Sequence, residues 1–368
     1  MEKVFDVHIH YTHDISLDRM IGIFKKEFAE TKTEKGCFLS IPHENSATDN
    51  AVRYAETQNI KGLYLKRAFA PDFYAFAGLV HPQTHTDEKA ISKDFLRQVE
   101  EYFSVGYDGM KMLEGYPSLL KAWGVPLDSK IYDEYYSFME ENGYPIIMHI
   151  ANPNENWDIS KADAYAIKAG RVYDSSFPTK DEITVQTFGI MKKFPKLKLI
   201  LAHCGFFSQE KENAERFLGD YENTALDITP GGEQLINMGK EWDYWLPFIE
   251  KYQNRFFYGT DFYAFPDDDE ERWKISFWRR PRLVRQFLET DTAHDYAGTP
   301  FCGVKLDDKL RKKIYWDNAE RLLGKPKKID ENYMLTEAQR LLKLPHKSTQ
   351  CAEADLRYII AKLEEKRN

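Results

Sequence analysis

Short apolar runs rich in β-branched and aromatic residues recur along the chain, separated by longer stretches in which apolar residues return every three or four positions. The short runs are "VFDVHIHY" (4–11), "GCFLSIP" (36–42), "YAFAGLVHP" (74–82), "YDGMKML" (107–113), "YPIIMHI" (144–150), "KLILAHCG" (198–205), "TALDITP" (224–230) and "RFFYGTDF" (255–262). Each has the length of a strand, and stretches such as 89–106, 129–143 and 179–195 have helical spacing. Gly106 and Gly143 follow helical runs, where a C′ residue often needs positive φ, and Pro145 and Pro195 mark their stops. Strand then helix, eight times over, predicts an α/β fold of the (β/α)8 TIM-barrel type. The competing open doubly wound sheet would be favoured by a GxGxxG after the first strand, and that signature is missing.

Two segments exceed a bare barrel. The stretch 262–308, containing "FPDDDEERWKISFWRRP", follows strand 8 as a long loop insertion that either covers the barrel mouth or forms a surface subdomain. Beyond Gly324, "LTEAQRLLKLP" and "ADLRYIIAKLEEKRN" read as helices packed outside the barrel. The expected organisation is therefore a barrel over 1–324 and a C-terminal helical extension over 325–368.

Alternation along the first strand puts Asp6, His8 and His10 on one face and Phe5, Val7 and Ile9 on the other. Active sites of such barrels gather at the C-terminal strand ends. There the chain places His8 and His10 on strand 1, Lys111 on strand 4, His149 on strand 5, His203 on strand 6 and Asp261 on strand 8. Imidazole and carboxylate suit a divalent ion such as zinc, and His8 and His10 can reach one ion together. Such an ion makes hydroxide available at neutral pH, with Asp261 placed to take and return the proton. Asp6 would anchor a histidine ring or fix neighbouring backbone.

This constellation, Asp-x-His-x-His followed by Lys111, His149, His203 and Asp261, resembles the amidohydrolase superfamily, and within it the amidohydrolase-related branch of hydrolases and non-oxidative decarboxylases. "FPKLKLILAHCGF" (194–206) and "IYWDNAERLLG" (314–324) are similar to that branch's sixth-strand and terminal-helix patterns. The resemblance runs from about residue 4 to 324. It implies His8, His10 and His149 as metal ligands, Asp261 as ligand or proton shuttle, and His203 as a group that polarises or binds substrate. It leaves Lys111 as either a carbamylated bridge between two ions or a substrate contact. The expected cofactor is one divalent ion per chain, zinc ahead of manganese.

The remaining features narrow the class. With 51 Lys and Arg against 59 Asp and Glu, the chain lacks the positive charge a nucleic-acid partner demands. No apolar stretch is long enough for a membrane span, and the N-terminus has no leader pattern, so a soluble, unexported chain is expected. Cys37, Cys204, Cys302 and Cys351 are too dispersed for a disulfide framework, which fits the cytoplasm. Cys204 is read as packing. His13, His43, His81 and His85 are read as loop histidines, with substrate contact as the alternative. Arg279–Arg280 is read as a solvated charged face, with a carboxylate clamp as the alternative.

The leading expectation is a metal-dependent hydrolase acting on an amide, ester or lactone of a small carboxylated molecule. The runner-up is a metal-dependent decarboxylase of an aromatic or related acid. A Schiff-base lyase using Lys111 and a non-catalytic binding barrel stand behind these. A homo-oligomer is compatible with the sequence.

Overall fold

A computed structural model of the 368-residue chain describes residues 1–12, 15–42, 51–82, 87–162, 164–230, 234–265, 280–296, 298–344 and 350–365. His13, His43, His85 and Arg279 lie outside the described residues, as do 266–279 of the long insertion and the side chain of Cys351.

Nine strands form one sheet: β1 (Val4–His10), β2 (Thr33–Leu39), β3 (Phe73–Ala77), β4 (Gly109–Gly115), β5 (Pro145–Ile150), β6 (Lys198–Leu201), β7 (Thr224–Asp227), β8 (Phe256–Phe257) and β9 (Phe262–Tyr263). Their spatial order is β8-β7-β6-β5-β4-β3-β2-β1-β9, and every neighbouring pair is parallel. The two end strands are halves of one eighth strand. β8 pairs with β7 and β9 with β1, and the link between them adds Val7 N–H to Tyr258 O at 3.0 Å and Asp261 N–H to His8 O at 2.9 Å. The sheet thus closes into a TIM barrel, with its seam at residues 258–261.

The apolar runs expected as strands are strands, with shifted ends. The third stops at Ala77, five residues early. The sixth stops at Leu201, because His203, Cys204, Gly205 and Phe206 all take positive φ, between 52° and 63°, and curl the chain out of the sheet. The helix expected over 89–106 is Glu88–Val105, ended by Gly106 at φ 116°. That over 179–195 is Lys180–Lys193, opened by a capping box in which Thr179 and Glu182 bond reciprocally. The C-terminal helices, Glu331–Leu342 and Gln350–Glu365, pack on α2 (Ala51–Ala68). Among the described residues no helix is long and apolar enough to cross a membrane.

The alternation expected of β1 is broken, and this bears on the site. Phe5 and Val7 belong to the barrel interior, packed with Cys37, Leu39, Tyr74, Phe76, Ile147 and Ile200, whereas Ile9 faces the helices. The register against β2 slips between Asp6 and Ile9. At that slip the Asp6 carboxylate accepts the His8 N–H at 3.0 Å, so His8 and His10 turn to the interior without Phe5 and Val7 leaving it. A bulge beside a site re-aims side chains in this way.

Candidate metal centre

The bulge delivers His8 Nε2 and His10 Nε2 to within 3.0 Å of each other. Both rings are buried, and their outer nitrogens are committed. His8 Nδ1 lies 2.8 Å from Asp227 Oδ2 and 3.2 Å from Thr229 Oγ1, and His10 Nδ1 lies 3.0 Å from the carbonyl of Leu39. Carboxylate and carbonyl only accept, so each Nδ1 carries the proton and each Nε2 presents a bare lone pair. Burial, reinforced for His8 by Lys111 and for His10 by His8, pushes both rings well below the usual histidine pKa, which keeps them neutral.

Asp261 comes from the seam. Its backbone adopts φ 54°, and its Oδ1 stands 3.7 Å from His8 Nε2 and 3.5 Å from His10 Nε2. The turn that carries it is braced by Asp6, which accepts Thr260 N–H at 3.1 Å and Thr260 Oγ1–H at 2.5 Å. Asp6 therefore fixes backbone on both sides of the seam, and the carboxylate anchoring a histidine ring is Asp227. Gly259 is required here: a Cβ would meet His8 Cβ at 3.0 Å and crowd Thr229 Oγ1 more closely still.

The donor atoms of His8, His10 and Asp261 all lie within 4.8 Å of one another. Three acceptors face one point, and two ligands of a single zinc stand roughly 3 Å apart at the usual Zn–N lengths. The residues present fit a divalent ion. Burial raises the Asp261 pKa to about 6 against the pull of Arg280 and Lys111, so an incoming cation displaces a proton only in acidic solution.

The other expected residues surround this trio. Lys111 is fully buried with Nζ 3.3 Å from His8 Nε2, and burial lowers its pKa to about 8 while Asp227, Asp261 and Glu114 hold it up. His203 packs its ring 5.2 Å from His8, its backbone N–H donates to Asp227 Oδ1 at 2.8 Å, and its buried ring Nδ1 has no partner among the described residues. His149 stands apart from the trio. Its Nε2 lies 3.0 Å from the carbonyl of Ala151, and its ring sits against His203 at 5.0 Å and Tyr116 at 5.4 Å. Cys204 is buried in the apolar core.

Three buried polar residues escape a reading of strand ends alone. Asp227 closes β7, where alternation from Ala225 would have placed it inward. Arg280 is not on a solvated face: its Nη1 pairs with Asp261 Oδ2 and donates to the Asp261 carbonyl at 2.6 Å. No local pattern marks it, because its partner lies 19 residues back across the insertion. His81 is buried rather than on a loop surface, with Nε2 2.9 Å from Glu114 Oε1.

Comparison with known proteins agrees with this architecture. No curated protein matches the chain. Among solved structures, one described as an amidohydrolase II has a TM-score of 0.57 at 16% identity, covering 87% of this chain and 99% of its own. An uncharacterised TIM-barrel protein from Bordetella bronchiseptica has 0.53 at 15%, covering 88% and 98%. A 4-oxalomesaconate hydratase from Rhodopseudomonas palustris has 0.52 at 15%, covering 87% and 95%. At such identities these likenesses speak for the barrel alone. The sequence profile described as Amidohydrolase matches residues 6–325, a span that starts within β1, runs past β9 and holds every residue of the site above. The chain belongs to the amidohydrolase family.

Proposed function

We propose that the chain is a metal-dependent hydrolase of an amide, ester or lactone bond in a small carboxylated molecule. The observation that carries this reading is the convergence of three buried acceptors, His8 Nε2, His10 Nε2 and Asp261 Oδ1, beside which Lys111 Nζ stands 3.3 Å from His8 Nε2. These residues would hold a divalent ion, zinc ahead of manganese, one per chain, with His149 as the further ligand that the family resemblance implies. When bound, such an ion acidifies a water molecule and polarises a carbonyl.

The chain's own groups supply the rest. Asp227 orients His8, and Asp6 sets the turn that presents Asp261. His203, with an uncommitted ring nitrogen inside the site, hydrogen-bonds the oxygen on which charge develops. Asp261 carries the proton to the leaving group. Lys111 and Arg171 supply the positive charge that a substrate carboxylate needs; both perturb His149 and Asp261 electrostatically. The proposal includes a barrel over 1–324, an extension over 325–368 and a cytoplasmic setting that keeps Cys37, Cys204 and Cys302 reduced.

A decarboxylase on the same centre is the second reading, and one contact favours it. Arg280 occupies the outer oxygen of Asp261, which hinders that carboxylate as a proton carrier. Decarboxylation asks only that the C–C bond break with its electron pair left on carbon, which a protonated side chain then quenches as CO₂ leaves. Turnover on carboxylated amides, lactones and aromatic acids, with CO₂ measured, separates the two, because hydrolysis of these bonds releases none. Asp261→Asn should abolish hydrolysis, and near-normal hydrolysis in that variant would exclude the proton role.

A further inference from the structure

The segment that follows the barrel seam sends one side chain back into the centre. Arg280, the first residue of the helix Arg280–Glu289, has its side chain only 16% exposed, and its Nη1 contacts Asp261 twice, at Oδ2 and at the backbone carbonyl at 2.6 Å. The second contact matters because Asp261 is held at φ 54°, a backbone state that a non-glycine residue keeps only when its surroundings impose it. The same guanidinium lies 5.6 Å from the centre of the Tyr263 ring, and that ring packs 4.8 Å from His10 and 5.2 Å from Phe265 in near-parallel stacking. Arg280 thus touches two members of the trio, Asp261 directly and His10 through one ring.

We propose that Arg280 is the positioning residue of the metal centre. It holds the outer oxygen of Asp261 so that the inner oxygen alone faces His8 and His10, and it steadies His10 by clamping Tyr263. This rests on the reading of the trio as a metal site. Charge and geometry make opposite demands here. A guanidinium beside a cation site repels the cation, so on charge alone its removal would tighten metal binding. Loss of the orienting contact loosens it, and removal of an outer-shell partner typically lowers metal affinity by about 10- to 100-fold. Positioning requires the second sign.

The test measures zinc affinity by chelator competition on the full chain, together with the visible spectrum of the cobalt-loaded protein. Arg280→Gln is expected to weaken zinc binding by about tenfold or more and to alter the cobalt spectrum. Arg280→Lys, which keeps a cationic donor on a shorter stem, should retain more of the affinity than Arg280→Gln. Arg280→Met keeps the apolar stem and repeats the measurement should the glutamine variant fail to fold. Equal or tighter zinc binding in Arg280→Gln and Arg280→Met overturns the proposal and makes Arg280 a competing cation. The His8→Ala/His10→Ala protein is the control: if it holds zinc as the wild type does, the metal-site reading fails, whatever Arg280 does.

Discussion

Two polar clusters in this molecule are both buried and differ in how their atoms are answered. Where the C-terminal extension meets α2, Lys61 Nζ donates to Asp355 Oδ2 at 2.6 Å, to the Thr12 carbonyl at 2.8 Å and to that of Ile15 at 3.5 Å. The other oxygen of Asp355 accepts Leu17 N–H at 2.6 Å. Donors meet acceptors throughout, as buried charge requires. At the barrel mouth the match is partial: two imidazole lone pairs 3.0 Å apart look toward a carboxylate oxygen, and Lys111 Nζ, 3.3 Å from His8 Nε2, answers one of them. The first cluster is complete as folded; on the proposed reading, the second is completed by a cation. Saturation, more than burial, separates a brace from a site.

The largest effect should come from desaturating the brace. Asp355→Ala leaves Lys61 buried without its counter-charge and is expected to lower stability by about 3–5 kcal/mol in urea denaturation. An Asp355→Leu/Lys61→Met pair should recover most of that loss. A single variant within about 1 kcal/mol of wild type would erase the contrast.

A third buried carboxylate, Glu27 on the helix Leu17–Thr31, sharpens the comparison, since neither of its oxygens has a hydrogen-bond partner among the described residues. Burial raises its pKa to about 8 from an unfolded value near 4.5. The folded protein therefore retains a proton that the unfolded chain has released, and stability falls as pH rises from about 4.5 to about 8. Glu27→Gln should be close to wild type near pH 5 and more stable by roughly 4 kcal/mol at pH 8, read as a widening gap in Tm. A gap independent of pH would mean that the carboxylate is answered after all.

At the mouth, the proposed reading expects an added cation to act as completion. Zinc at 100 times its Kd is expected to raise stability by about 2.7 kcal/mol, and His8→Ala/His10→Ala should lose both this gain and the bound metal in elemental analysis. A smaller, more selective effect is expected from Asp227→Asn. The amide oxygen can still accept from His203 N–H and Thr229 N–H, as Oδ1 does at 2.8 and 3.2 Å. Its NH₂ would face His8 Nδ1 and move the ring proton to Nε2, where it blocks the ion. Zinc affinity should drop by about 10- to 100-fold with little change in metal-free stability.

Much of this was legible in the chain, for reasons that also mark where reading stops. Eight apolar runs give eight strand segments because a strand buried on both faces must be apolar throughout. His8, His10 and Asp261 stand out because polar groups at the ends of such runs need a reason to be there. The phase of β1 was not legible: strict alternation sends Phe5 and Val7 away from the interior, and only the Asp6 carboxylate, by taking the His8 N–H, shows why they remain. His149 has the same sequence signature as the other histidines, yet the carbonyl of Ala151, at φ 52°, takes its Nε2. Arg280 was hidden because charge runs near turns are usually hydrated, and a partner across a long insertion leaves no spacing to count.

The interrupted eighth strand has a consequence for how this protein can vary. Residues 258–261 are both the last stitch of the barrel and the mount of Asp261, so a chain whose ends have not met has no centre to load. On the proposed reading, metal uptake becomes an assay of closure, and a protein that takes up zinc slowly would be reporting its own breathing. Any lineage that edits this turn must answer to folding and to chemistry with the same four residues.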